Sequence, residues 1–130
     1  MKSVAIFAMF LTSTALADDV VRVTSLDLAA QTHKWDGKTI ETQSYCFYAD
    51  VNEFRCAMPG GARIDFTDLQ PDAARAVIEK NCDTISKFMS RPCFIKFRFV
   101  YESYGLLDAN DGTQLHTVKA KDDIGTILPK

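Results

Sequence analysis

Between Cys93 and Glu102 the chain alternates. Cys93, Ile95, Phe97, Phe99 and Tyr101 fall on one side, and Lys96, Arg98 and Glu102 on the other. This is the period-two pattern of a strand with one buried and one solvated face. Thr39 to Ala49 is rich in Thr, Ile, Tyr and Phe, and Phe54 to Met58 follows it closely. The two read as strands around a hairpin centred near Val51. Arg63-Ile64-Asp65-Phe66 alternates again as a third short strand, after a break at Pro59-Gly60-Gly61. Ala74, Val77, Ile78, Cys82 and Ile85 recur at spacings of three and four, the apolar stripe of a helix that covers one side of the sheet. Asp68-Leu69-Gln70-Pro71 reads as that helix's start, with Asp68 as its cap and Asp72 favourable to the dipole. Leu115 to Ala120 reads as a final strand after the polar turn Asp108–Gly112. A short leading helix is expected over Ser25–Gln31, capped by Ser25, with a turn at Trp35-Asp36-Gly37-Lys38.

The first residues follow a different pattern. Met1-Lys2-Ser3 is cationic, Val4 to Leu11 is an unbroken apolar run, and Ala15 and Ala17 are the small residues that precede a cleavage point. Residues 1–17 are therefore expected to be a cleavable signal peptide and 18–130 a single domain, periplasmic or secreted. The apolar run is too short to span a bilayer, and no later stretch is apolar enough, so no membrane span is expected. Loss of Lys2 takes the formal charge from -2 to about −3. A slightly acidic chain is a poor match to phosphate backbones, so nucleic acid is disfavoured as a partner.

An exported chain with four cysteines points to disulfides. The proposed hairpin sets Cys46 beside Cys56 on adjacent strands. Cys82, late in the helix, and Cys93, opening the next strand, would tie the helix end to the sheet. Cys46–Cys56 and Cys82–Cys93 are the expected pairs. A zinc site would call for C-x2-C spacing, and no CxxC occurs in the chain; the same absence argues against a thioredoxin-like role.

The resulting order, β-β-β-α-β-β, is the chain order of an OB-fold barrel. Trp35-Asp36-Gly37-Lys38, Ile64-Asp65-Phe66 and Cys93-Phe94-Ile95-Lys96-Phe97 look similar to segments of small bacterial exported OB-fold proteins, a resemblance that covers most of residues 34–124. The expected fold is α+β: mostly β with one main helix, a five-stranded OB-fold-like barrel behind a short leading helix. Two departures concern the barrel's curl, since the first strand lacks a mid-strand glycine and the fourth has none directly after Phe97. The resemblance implies binding of single-stranded nucleic acid, oligosaccharide or protein across the second and third strands and nearby loops.

Catalytic chemistry finds little support. There are only two histidines, His33 and His116, and no G-x-S-x-G nucleophile motif. Asp108–Gly112 has glycine fifth and Lys119 at the twelfth position, so it reads as a turn rather than a calcium loop. Asp65 and Asp68 could pair for acid–base work, but Asp68 is expected as a helix cap. No cofactor and no catalytic residue are expected.

A surface remains. Tyr45 and Phe47 share a face of the first strand, Arg55 lies across the hairpin, Arg63 stands on the third strand, and Lys96 and Arg98 project from the fourth. Such a set could stack against and hold a sugar, a base or a peptide. It could equally be an ordinary barrel exterior, with Tyr45 and Phe47 turned inward by the curl of a long strand. The expected function is a non-enzymatic binding module for a protein or oligosaccharide partner. The alternatives are an envelope interaction or stress accessory protein, or a toxin-like B subunit.

Overall fold

A computed structural model of the chain describes residues 20–30, 34–58, 62–83, 89–108, 111–112 and 114–130. The proposed signal peptide over 1–17, the break at 59–61 and Ile85 lie outside the described residues. The elements in order are β1 (Val20–Arg22), α1 (Ser25–Ala30), β2 (Thr39–Asp50), β3 (Glu53–Ala57), β4 (Ala62–Phe66), β5 (Asp68–Gln70), α2 (Asp72–Asn81), a 3-10 turn (Arg91–Cys93), β6 (Phe94–Asp108), β7 (Gln114–Ala120), a second 3-10 turn (Lys121–Asp123) and β8 (Ile124–Ile127).

Five of these strands close a barrel. β2, β3 and β4 form an antiparallel meander, β4 pairs parallel with β7, β7 pairs antiparallel with β6, and β6 returns antiparallel to β2. With α2 inserted between β4 and β6, this is the OB-fold arrangement. The missing glycines do not hold the sheet open. β6 pairs with β2 over Phe94–Val100 and with β7 over Tyr101–Asp108, and each long strand carries a register shift, at Tyr48/Asp50 in β2 and Tyr101/Ser103 in β6. Such irregularities bend a strand and increase its twist, which is what closure requires.

The interior follows the alternation. Ile95, Phe97, Phe99 and Tyr101 are buried, as are Ile40, Phe54, Ile64, Phe66 and Val118 from the other strands. Phe66 meets Phe97 edge-on at 5.5 Å between ring centroids and Phe99 at 5.9 Å, and Phe97 stacks on Phe99 at 5.9 Å. These tilted and edge-on contacts suit the ring quadrupole. Trp35 joins this core, and its turn is stitched to β6 by Gly37 N–H donating to the Tyr101 carbonyl at 2.8 Å and Tyr101 N–H to that of Lys38 at 2.9 Å. β8 comes so close that a Cβ on Gly125 would lie 2.8 Å from the Phe66 ring and 3.0 Å from Leu69, so only hydrogen fits there.

Both disulfides form as expected. Cys46 and Cys56 are direct register partners on β2 and β3, and Cys82, just past α2, bonds Cys93 in the turn before β6. The Cys82 carbonyl also accepts from Tyr48 N–H at 2.8 Å. The end of α2 is thereby fastened to two strands.

Several expectations at the element ends are corrected. Asp68 is not a helix cap: Asp68–Gln70 is a strand paired parallel with β8, and α2 begins at Asp72 behind Pro71 with no side-chain cap. Asp68 instead accepts from the Gln70 amide at 2.6 Å and from Arg75 at 2.6 Å, contacts that lower its pKa in that order of weight. On α1 the cap is Thr24 rather than Ser25, since Thr24 Oγ1 accepts from Asp27 N–H at 3.1 Å. Cys93 precedes its strand rather than opening it. β7 is not the last strand, because β8 follows and pairs with both β5 and β6. Along the helix stripe, Ile78 and Cys82 are buried and Ala74 packs on the core, but Val77 is 45% exposed and borders a groove against Pro92 and Ile127.

Candidate functional site

The buried positions of β2 (Ile40, Thr42, Ser44, Cys46) leave Glu41, Gln43, Tyr45 and Phe47 for its outer face. In β6, buried Ile95, Phe97 and Phe99 leave Phe94, Lys96 and Arg98. Tyr45 and Phe47 therefore share the outer parity of β2 and are both partly buried, Phe47 by packing against the hydrophobic core. The β2–β6 register sets Tyr45 beside Phe94, Gln43 beside Lys96 and Glu41 beside Arg98. β1 adds Arg22 next to Glu41, and β8 adds Thr126 next to Arg98. A row Arg22, Glu41, Arg98, Thr126 thus crosses four strands.

Glu41 is the centre of that row. It is only 9% exposed, and its two oxygens are separately engaged: Oε1 accepts from Arg98 Nε at 2.8 Å, and Oε2 lies 3.2 Å from Arg22 Nε. The Arg98 hydrogen bond lowers the Glu41 pKa most, and the charges of Arg22, Arg98 and Lys96 add to it against the opposing effect of burial. A carboxyl lowered in the folded state stabilises the fold above its ordinary titration range, and that contribution is lost as pH falls through the lowered value. The urea midpoint is therefore expected to drop as pH falls below the ordinary glutamate range, and less so in Glu41→Gln. Unfolding curves from pH 7 to pH 3 would count against this role if the two proteins lost stability in parallel.

Two grooves lie on this face. The first, about 440 Å³, is lined by Arg22, Thr24, Ser25, Gln43, Phe94 and Lys96 among others, with Glu41 at its base. The second, about 490 Å³, includes Thr39, Arg98, Lys121, Asp122, Ile124 and Thr126. The 2.8 Å contact between Glu41 of the first and Arg98 of the second is where they meet. At the first groove's edge Phe94 is 38% exposed, with the Tyr45 ring 4.8 Å away in a tilted arrangement. Among the described residues no carboxylate is in ion-pair contact with Lys96.

The six surface residues singled out from the sequence separate into two groups. Lys96 and Arg98 belong to the β2–β6 face, with Tyr45 at its border. Phe47, Arg55 and Arg63 lie around the barrel, where the register places Phe47 beside Arg55 and Arg55 beside Asp65. There Arg55 is held between Glu53 at 2.6 Å and Asp65 at 3.2 Å, and Arg63 reaches Asp65 at 3.5 Å. The recess beside them, about 170 Å³, is lined by Arg63, Asp65, Lys119 and Asp123 with Thr117 and Val118, so its cations and carboxylates balance.

Arg22, Glu41, Gln43 and Phe94 were not singled out from the sequence. Phe94, Glu41 and Gln43 could have been found from the alternation alone, since they share the outward parity of Lys96 and Tyr45. Arg22 could not, because its place depends on a three-residue strand, too short to show a period, pairing parallel with β2 across α1.

His116 Nδ1 is hydrogen-bonded to the Tyr104 hydroxyl, and His33 lies outside the described residues. Among the described residues no cluster of three or more His, Cys, Asp or Glu side chains could hold a metal ion, and no helix is long and apolar enough to cross a membrane. Comparison of the chain with protein-family models, with curated proteins and with solved structures returned no match.

Proposed function

We propose that this chain is an exported, non-enzymatic binding module that holds an oligosaccharide on the outer face of β1, β2, β6 and β8. The observation that carries the reading is the partly exposed Phe94 ring, backed by Tyr45, at the edge of a groove that combines apolar surface, Val23 included, with hydroxyl, amide and charged groups. A sugar ring has an apolar face of C–H groups and a rim of hydroxyls. The first suits an aromatic ring, and the second suits Gln43, Thr24, Ser25 and Lys96. The groove's size fits a ligand held by a few polar contacts. Export is supported by the three-part pattern of residues 1–17 and is compatible with two disulfides, as in small exported bacterial OB-fold proteins.

A glycan array probed with the disulfide-intact protein, alongside capture from an envelope extract, tests the proposal. Retention of an oligosaccharide is expected, with affinity about tenfold weaker in Phe94→Ala, the equivalent of about 1.4 kcal/mol. Binding to no glycan, or equal binding by Phe94→Ala, would overturn it. Capture of a protein without any glycan would favour the protein-partner reading instead.

A further inference from the structure

We infer that the oligosaccharide is an acidic one, carrying carboxylates as uronic acids do, and that it lies across both grooves; this rests on the glycan-binding reading above. The charged groups lining the two grooves are Arg22, Lys96, Arg98 and Lys121 against Glu41 and Asp122. The excess is positive, on a chain whose formal charge is -2. Cations have gathered on one face against the overall balance, which raises the local concentration of an anionic ligand.

Glu41 offsets part of the charge of Arg22 and Arg98, and the excess remains positive with it counted, since one carboxylate is shared between two guanidinia. It acts as a brace. Each guanidinium contacts it through Nε, at 2.8 Å from Arg98 and 3.2 Å from Arg22. Among the described residues neither guanidinium has a second carboxylate in ion-pair contact. A guanidinium fixed in this way presents a planar pair of donors that matches a carboxylate. Lys96, beside Gln43, supplies a further charge next to the Phe94 ring.

The row from Arg22 to Thr126 crosses three strand spacings, about 14 Å. That length suits several linked sugars rather than one. Hydroxyls of Thr24, Ser25, Thr39 and Thr126 are distributed along both grooves, as a ligand rich in hydroxyls requires. An acidic peptide would use the cations but has no comparable use for the aromatic ring flanked by hydroxyls.

The test uses the disulfide-intact protein and three probes: oligogalacturonate, the same polymer with its carboxyls reduced to primary alcohols, and polyglutamate. Titration calorimetry is expected to show binding of oligogalacturonate, at least tenfold weaker binding of the reduced polymer, and affinity for the acid that falls as salt rises. Lys96→Glu is expected to weaken oligogalacturonate at least tenfold with only a small drop in the urea midpoint, from the lost support of the Glu41 carboxylate. Equal or tighter binding of the reduced polymer would overturn the acidic assignment and leave the glycan reading standing. Polyglutamate binding as tightly as oligogalacturonate would replace the saccharide with an acidic peptide. No binding of any probe, with an empty glycan array, would remove both readings. The salt and carboxyl-reduction results use the unaltered protein, so they decide the question even if Lys96→Glu fails to fold.

Discussion

Reducing both disulfides is expected to lower the free energy of unfolding by about 5 kcal/mol. Cys46–Cys56 and Cys82–Cys93 close short segments, with sequence separations of 10 and 11. The loop entropy removed from the unfolded chain is worth about 2.7 kcal/mol for each. A domain of this size has about 5–15 kcal/mol in total, so the reduced protein should be marginal or unfolded. At a urea slope of about 2 kcal/mol per molar, the midpoint should fall by about 2.5 M. All four cysteines are buried, with no solvent exposure of their side chains, so reductant must reach them through opening of the fold. Equilibrium unfolding with and without reductant, repeated on the Cys46→Ala/Cys56→Ala and Cys82→Ala/Cys93→Ala pairs, checks this. An unchanged midpoint would mean that packing alone holds the barrel. The two pairs should also differ in kind. Cys46 and Cys56 join strands already hydrogen-bonded to each other, whereas Cys82–Cys93 holds α2 to the start of β6.

Phe97→Ala should cost about 3–5 kcal/mol. Phe97 is fully buried where β6 faces β2 and β8, in contact with the rings of Phe66 and Phe99. Removing it opens a cavity bounded by strands from opposite sides of the barrel, which cannot collapse without loss of closure. Phe94 is the internal control, because it lies three residues earlier on the same strand and faces solvent. Phe94→Ala should be much less destabilising, with its loss expected in ligand binding. If denaturant midpoints placed Phe94→Ala at or below Phe97→Ala, the inward and outward assignment of β6 would be wrong, and with it the location of the binding face.

The charges on this barrel also differ in how fully they are met within the protein. Arg75 is tied to Asp68, Asp72 and Glu79, and Arg55 to Glu53 and Asp65, so each has its charge met within the protein. Around Glu41 one carboxylate serves two guanidinia, with Lys96 nearby. A shortage of carboxylates, rather than the number of cations, is what supports the proposal that the β2–β6 face takes an anionic partner.

Much of the barrel could be read from the chain because its signals are local. The alternation from Cys93 to Tyr101 assigned inside and outside correctly, since side chains on a strand must change face at every residue. The hairpin around Val51 brought Cys46 opposite Cys56, and the chain order through the helix was enough to identify the OB-fold arrangement. What tertiary structure alone decided depends on pairings between distant segments. Val20–Arg22, Asp68–Gln70 and Ile124–Ile127 are too short to show any period, and they become strands only because β2, β6 and one another offer hydrogen-bond partners. Asp68 looked like a cap because Asp is a favoured N-cap residue and Pro71 and Asp72 suit a first helical turn, yet β8 captured its backbone and Gln70 and Arg75 its side chain. The proposed binding face has the same origin. The sequence could list Tyr45, Phe47, Arg55, Arg63, Lys96 and Arg98 as outward aromatic and basic groups, but whether a charge is satisfied depends on which carboxylate lies across the neighbouring strand. Register, which no local pattern encodes, set Asp65 beside Arg55 and Gln43 beside Lys96, so that among the described residues no carboxylate is in ion-pair contact with Lys96.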